Sequence, residues 1–243
     1  MQNQSLWTAT HRMPGYSALK ENMQTDVCVV GGGIAGLTTA YLRGQEGKKV
    51  IVIDDGELAG GMTQFTTGHL VSAIDDRIFH IEHLHGEANT RLAVQSHAAA
   101  IDQIEAIIKK ENIDCDFFRV NGYLFLPAGE PEEILDRELA AAHRAGFIAV
   151  RKLPSPPLTL FDAGPCLEFP EQGQFHPLKY LAALAKAIIR DGGRIFTSTH
   201  VDTITGGVPA KLTIGNHVVI AEQVVVATNS PVNDRFAIHT KQY

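Results

Sequence analysis

Asp26-Val27-Cys28-Val29-Val30-Gly31-Gly32-Gly33-Ile34-Ala35-Gly36 sets the architecture of the chain. The apolar run before Gly31 predicts a buried strand. The residues from Ile34 to about Gln45 predict a helix that Gly47 ends, and Val50 to Ile53 predicts a second buried strand. Between strand and helix stands G-x-G-x-x-G, in which Gly31 allows the tight turn and Gly33 lets the backbone approach a pyrophosphate. Gly36 lets helix and strand pack closely. The helix start, with Ile34 and Ala35, offers unpaired N–H groups and a positive dipole end to phosphates. Asp54 follows Gly36 by 18 residues, at the end of the second strand, where a carboxylate accepts from ribose hydroxyls and repels a 2′-phosphate. A glycine turn without a ligand is the plain alternative for the bare motif. Strand, turn, helix, strand and acid in the required order within residues 26–54 favour a dinucleotide instead.

Working outward, the next segment bears on which dinucleotide. FAD and NAD present the same ADP half, so the glycines do not separate them. A second loop rich in glycine and threonine follows at once, Gly60-Gly61-Met62-Thr63-Gln64-Phe65-Thr66-Thr67-Gly68-His69, and its small and hydroxyl side chains suit close passage over a pyrophosphate and a flat ring. This loop, and the place of the βαβ unit early in the chain, favour FAD. The alternative for the loop is a solvated polar segment. Residues 56–74 as a whole read as loop, and Asp75 to about Asn112 as helix, with Ile101, Ile104, Ile107 and Ile108 forming one stripe. Strands are expected in Phe117–Leu126, a helix at Glu130–Gly146 whose acidic residues 130–138 form a solvated face, and a proline-rich connection at Pro154–Pro170. A helix at Leu178–Arg190 and short strands at 194–198, 201–205, 210–214, 217–220 and 223–227 complete the pattern.

These elements predict an α/β fold with an α+β insertion: a Rossmann-like FAD/NAD(P)-binding domain carrying an inserted substrate or cap region. The expected divisions are a leader at 1–25, a nucleotide-binding layer at 26–74 and 178–243, and an insertion at 75–177 that could cover a ligand.

The 243 residues suffice for a sizeable core, and 44% hydrophobic with 20% charged residues excludes a disordered or fibrous chain. A net charge of −6 gives no electrostatic reason to approach nucleic acid or an anionic membrane. The longest apolar stretch, Val27–Leu42, has 16 residues and four glycines, too short to span a bilayer. Cys28, Cys115 and Cys166 are widely spaced, which predicts reduced thiols in a cytoplasmic protein and no metal framework. His80, His83 and His85 do not share one helix face, and the expected metal content is none.

The chain resembles the D-amino-acid oxidase/glycine oxidase-like (DAO) family of FAD-dependent oxidoreductases, and within it the subgroup whose members commonly carry a carboxyl-terminal Rieske iron–sulfur domain. The resemblance rests on Ser5-Leu6-Trp7, the 26–54 unit, Thr66-Thr67-Gly68-His69-Leu70, Ile113-Asp114-Cys115-Asp116-Phe117, Gln174-Phe175-His176-Pro177-Leu178-Lys179-Tyr180-Leu181 and Val224-Val225-Val226-Ala227-Thr228. It implies that Gly31, Gly33, Ile34, Ala35 and Gly36 hold the pyrophosphate of FAD with Asp54 on the ribose. Thr63, in the loop with Gly61, would reach a phosphate, and Thr66, Thr67, Gly68 and His69 would border the isoalloxazine. Val201 would lie beside the adenine, with Ala227 and Thr228 closing over the ADP half.

The implied reaction is oxidation of a small amine or amino acid by hydride transfer to flavin N5. His69 and His176 are the candidate catalytic side chains, each with a structural histidine as the alternative. Gln64-Phe65 departs from the family pattern, which has a glycine and a basic residue there. Members of the family also continue beyond residue 243, so the fold is expected to be incomplete at its carboxyl end. Two rival functions stand beside the oxidase: a flavin-binding fragment without turnover, and an FAD-dependent reductase acting on another donor. A pyridine-nucleotide reductase would show a second glycine fingerprint, which Gly192-Gly193 and Gly206-Gly207 do not supply.

Overall fold

A computed structural model describes residues 4–158, 161 and 163–233. The sequence expectation for the end of the nucleotide-binding layer, including His239–Tyr243, lies outside the described residues. The chain forms two compact units, Met1–Thr67 with His176–Tyr243, and Gly68–Phe175.

The first unit is built on strand β1, Met23–Val30, with helix α1 (Leu6–Thr10) ahead of it in the leader. Helix α2 (Ile34–Gln45) follows the glycine turn and leads to β2 (Val50–Ile53); after the second unit come helix α5 (Pro177–Arg190) and strands β7 (Arg194–Phe196), β8 (Thr203–Thr205), β9 (Ala210–Ile214) and β10 (His217–Val226). The six strands lie in the order β7-β2-β1-β10-β9-β8. β1 pairs in parallel with β2 and with β10, and β2 in parallel with β7. Being covered on both faces, β1 and β2 are continuously apolar: Cys28, Val29, Val52 and Ile53 are fully buried. Cys28, Val30, Ile51, Ile53, Phe196 and Val219 pack in one core layer. Helix α5 buries Leu178, Leu181, Leu184, Ala185 and Ile188 at spacings of three and four, each leucine contributing about 1.5–3 kcal/mol.

The expected break within 217–227 is absent, and β10 is one strand. Its first half, His217–Ala221, pairs with β9, and from Val219 also with β1 on the other side, while Gln223–Val226 pairs with β1 alone. The polar pair Glu222-Gln223 therefore marks where β9 ends, not where the backbone ladder stops.

The second unit contains β3 (His69–Leu70), helix α3 (Ile78–Glu111), β4 (Phe118–Phe125), helix α4 (Glu133–Ala145), β5 (Arg151–Leu153) and β6 (Cys166–Gln174). The central β6 pairs antiparallel with β4 along one side and with β3 and β5 on the other. Helices and sheet meet in a core that includes Ile78, Val94, Leu135, Leu167 and Phe169.

Four expectations are corrected here. The 56–74 segment holds a 3-10 turn, Met62–Phe65, as well as β3, whose pairing with Gly173 and Gln174 places residues from Gly68 onward in the second unit. Pro154–Pro170 is not all connection, because β6 begins at Cys166. Pro170 is tolerated inside that strand where the register with β4 shifts between Val120 and Gly122, so its missing N–H falls at an irregularity. The helix of residues 75–112 is interrupted at Gly86, with φ 76° and ψ 161°. Glu138 is not on a solvated face: it is 1% exposed, and its carboxylate accepts from the backbone N–H of Ile78 (2.9 Å) and Phe79 (3.2 Å). It thereby satisfies two of the donors that the start of α3 leaves without intrahelical partners.

Candidate functional site

The parallel strands of the first unit end level with one another. Val30 pairs with Ile53 and with Val226, and Ile53 with Phe196, so the loops after β1, β2, β7 and β10 leave the sheet together at its carboxyl edge. That edge, beside the strand from which the order runs both ways, is where open α/β sheets bind ligands. A cavity of about 580 Å³ opens there, lined by residues from all four loops.

Gly31 and Gly36 hold the cavity floor together by close approach. Gly31 has φ 106°, and a Cβ on it would lie 2.6 Å from the Ala227 carbonyl oxygen. A Cβ on Gly36 would fall 1.8 Å from the carbonyl oxygen of Gly31, so only glycine lets α2 start this near the turn. Gly33 is the N-cap of α2 and has no side chain to offer. Thr63 supplies the missing acceptor from the neighbouring loop, its Oγ1 accepting from Ile34 N–H at 3.3 Å. Asp54 works on two sides. Oδ2 accepts from Gly32 N–H at 2.6 Å and Oδ1 from Gly56 N–H at 2.9 Å, which fixes both turns. Each carboxylate oxygen keeps a further lone pair for a hydroxyl in the cavity that Asp54 lines.

Of the residues singled out in the sequence, Gly31, Gly33, Ile34, Ala35, Asp54, Gly61, Thr63, Val201, Ala227 and Thr228 line this one cavity, with Gly36 behind its floor. Thr66 and Thr67 belong to the same unit but are exposed outside the lining; the Thr66 carbonyl accepts from the Trp7 indole N–H at 2.7 Å. Gly68 and His69 fall in the second unit, where Gly68 is buried and His69 is an exposed residue of β3. His176 is the N-cap of α5 and is 6% exposed. Its Nδ1 accepts from Lys179 N–H at 3.3 Å, which leaves the proton on Nε2, facing Thr10 Oγ1 at 2.9 Å. Thr10 in turn donates to the Leu6 carbonyl at 2.7 Å. Both ring nitrogens thus serve the join between leader and helix, as the structural alternative for this histidine has it.

Sequence reasoning missed Thr199, His200 and the Asn229–Val232 segment, all of which line the cavity. They carry no motif, and only the level ending of the strands brings them in. The described lining contains no lysine or arginine. Phosphates there would be met by backbone N–H groups and the α2 dipole, the donor set that a glycine turn and a helix start provide. The Cys28 thiol on β1 is pushed up to about 12 by burial and takes no part.

Residues 26–239 match the family described as FAD dependent oxidoreductase, DAO. The chain belongs to this family. Among curated relatives, the DAO chain is 30% identical over 236 residues to YhfW of Bacillus subtilis (strain 168), described as a Rieske 2Fe-2S iron-sulfur protein; the match covers 95% of this chain and 45% of the relative. It is 28% identical over 225 residues to gamma-glutamylputrescine oxidoreductase of Escherichia coli (strain K12), covering 90% and 52%. The DAO chain thus spans about half the length of these relatives. Its fold is similar to that of glycine oxidase from Geobacillus kaustophilus, with a TM-score of 0.70 at 22% identity over 86% of this chain and 56% of the other. The L-proline dehydrogenase from P. horikoshii aligns with a TM-score of 0.68 at 18% identity, covering 87% and 54%. No described helix is long and apolar enough to cross a membrane.

Proposed function

We propose that this DAO chain holds FAD in the 580 Å³ cavity and serves the oxidation of a small amine or amino acid. The observation that carries the proposal is the convergence of Gly31, Gly33, Thr63 and Asp54 where the four parallel strands end. The cradle fits the ADP half of FAD, since its floor has been cleared of Cβ atoms and its acid stands where a ribose hydroxyl would donate. Bound there, FAD would supply the two-electron acceptor for oxidation of the carbon that bears the nitrogen.

The chain's own residues bind and orient. Gly33 brings its backbone N–H to the pyrophosphate, the Gly31 turn beneath it being held by its own N–H on the Ile53 carbonyl at 2.8 Å, and Thr63 braces the helix start through Ile34. Asp54 ties the turn to the ribose. By likeness to YhfW, an iron–sulfur domain is the partner that takes the electrons onward.

The test is anaerobic titration of the FAD-loaded protein with a panel of amines and amino acids, following the visible flavin band. Bleaching by at least one substrate, with a carbonyl product released in equal amount, is expected. A band that no amine or amino acid bleaches, yet that dithionite does, overturns the substrate assignment.

A further inference from the structure

The leader crosses the first unit as a strap fastened on both sides of a hollow. On one side Trp7 Nε1 donates to the Thr66 carbonyl at 2.7 Å, and Thr10 Oγ1 meets His176 Nε2 at 2.9 Å. On the other, the Tyr16 carbonyl accepts from Thr197 Oγ1 at 2.5 Å and Leu19 N–H donates to Thr199 Oγ1 at 3.1 Å. Between these fastenings residues 11–15 border a cavity of about 380 Å³, a volume within the range of small-molecule pockets. The remaining walls come from Thr8, the loop after β2, and Leu178 and Thr197. The cavity shares only Ala59 with the lining of the larger one at the strand ends, so the two are separate compartments.

Met13, Pro14, Leu58 and Leu178 give the cavity an apolar wall, in which Leu58 and Leu178 are each 2% exposed. Thr8, Gln64 and Thr197 also line it, and each donates to a nearby backbone carbonyl, of Ser5, Gly60 and Tyr16. Three polar side chains of the lining stay unsatisfied among the described residues. His11 Nε2 is buried without a hydrogen-bond partner, and a ring nitrogen left so inside a protein marks a missing one. Arg12 and Glu57 engage in no hydrogen bond or ion pair among the described residues. Their opposite charges border one cavity without closing on each other, whereas Arg43 with Glu46 and Arg194 with Glu21 do close.

We infer that this cavity under the leader binds a small zwitterion with an apolar body, an amino acid held by its two charged ends. The carboxylate takes the planar guanidinium of Arg12 and the Nε2–H of His11, and the ammonium donates to Glu57. The apolar side chain lies against Leu58 and Leu178. A plain carboxylate would stand against the Glu57 charge, and a plain amine against that of Arg12, so the lining is complementary only to both charges in one molecule. The site needs no cofactor and stands independently of the FAD assignment.

The test uses L-leucine as the probe beside its two halves, 4-methylpentanoate without the ammonium and 3-methylbutylamine without the carboxylate. Binding is read by NMR on the isotope-labelled full chain without added FAD. Leucine is expected to move the His11 ring, Arg12 Nε–H and Leu58 methyl signals saturably, and to bind roughly tenfold or more tighter than either half. Arg12→Gln and Glu57→Gln, both at exposed positions, separate the two ends. Arg12→Gln should lose about tenfold for leucine without weakening 3-methylbutylamine, and Glu57→Gln about tenfold without weakening 4-methylpentanoate. Equal binding of the three probes by the unaltered protein overturns the site, as does unchanged leucine affinity in either folded variant. No saturable shift up to the solubility of leucine overturns it too. Shifts confined to residues 68–175 would refute this site while supporting the amino-acid reading of the proposed function. Shifts at His11, Arg12 and Leu58 in a chain that retains no flavin would support this site and refute the cofactor assignment alone.

Discussion

Replacing Gly36 by alanine gives the sharpest consequence of the close approach under the cavity. The new Cβ would sit 1.8 Å from the Gly31 carbonyl oxygen, and real Cβ atoms essentially never come nearer than 3.0 Å, so the start of α2 must retreat by at least 3.0 − 1.8 = 1.2 Å. The obstacle is backbone, which cannot swing aside. Overpacking of this kind costs about 1–3 kcal/mol of stability. A 1.2 Å retreat also stretches hydrogen bonds of ordinary length past 3.5 Å, and hydrogen bonds to a charged group are each worth about 1.5–3 kcal/mol. Losing one phosphate bond weakens FAD binding by about 10- to 150-fold. The control is Gly44→Ala, farther along the same helix, where nothing lies within 4 Å of the added Cβ. It should leave FAD affinity unchanged and stabilise the helix by roughly 0.5–1 kcal/mol. The assay pairs urea melts with quenching of FAD fluorescence. If Gly36→Ala melted and bound FAD like the parent, the packing of α2 on the glycine turn would be wrong.

Asp54→Asn keeps one acceptor of two, so FAD affinity should fall about tenfold for one charge-assisted bond lost; the variant should also discriminate less between ADP and its 2′-phosphorylated form, read by competition against bound FAD. Burial pushes the Glu138 carboxyl above its ordinary value, against the N–H groups of Ile78 and Phe79 that favour its charged form. Its contribution is therefore fullest below the ordinary carboxylate range and declines as pH rises through the raised value. Glu105, held low by Lys109 and Arg119, and Glu168, held low by Arg151, act in the opposite sense and lose their contribution as pH falls. The difference between parent and Glu138→Gln urea melts across pH should isolate the Glu138 slope, and a flat difference would refute it. Glu138→Ala, which orphans two buried N–H groups, should cost about 2–4 kcal/mol. Because His176 caps α5, His176→Asn should keep stability within about 1 kcal/mol and retain flavin, while His176→Ala loses about 1–2 kcal/mol; a turnover collapse in a stable His176→Asn protein would restore the catalytic assignment.

The 26–54 unit was legible because each residue there answers a local demand. Val29 and Ile53 must be apolar on an interior parallel strand, and Gly31 must reach φ 106°. The Gly33–Thr63 and Asp54–Gly32 relations are legible only in part. The residue types announce a phosphate turn and a ribose acid, but the sequence does not say that Thr63 braces Ile34 N–H or that Asp54 ties Gly32. β6 was hidden by Pro170, whose cost is relieved by a register shift that exists only in the pair with β4. Glu138 sat in an acidic run that looks solvated, and its burial depends on the start of α3 lying against α4. Residues 229–232 enter the cavity through strand alignment alone, a long-range property that no short window carries.

The most direct test of the central claim is the visible spectrum of the purified chain after incubation with FAD and removal of free cofactor, taken beside Gly33→Asp. A Cβ at Gly33 would already stand 3.0 Å from Thr63 Oγ1, and the added carboxylate would face the phosphates. A retained flavin band in the parent that Gly33→Asp loses while still folding, as judged by its urea melt, is the result predicted. A parent that keeps no flavin, or a folded Gly33→Asp protein that keeps as much, would contradict the assignment of this cavity to FAD.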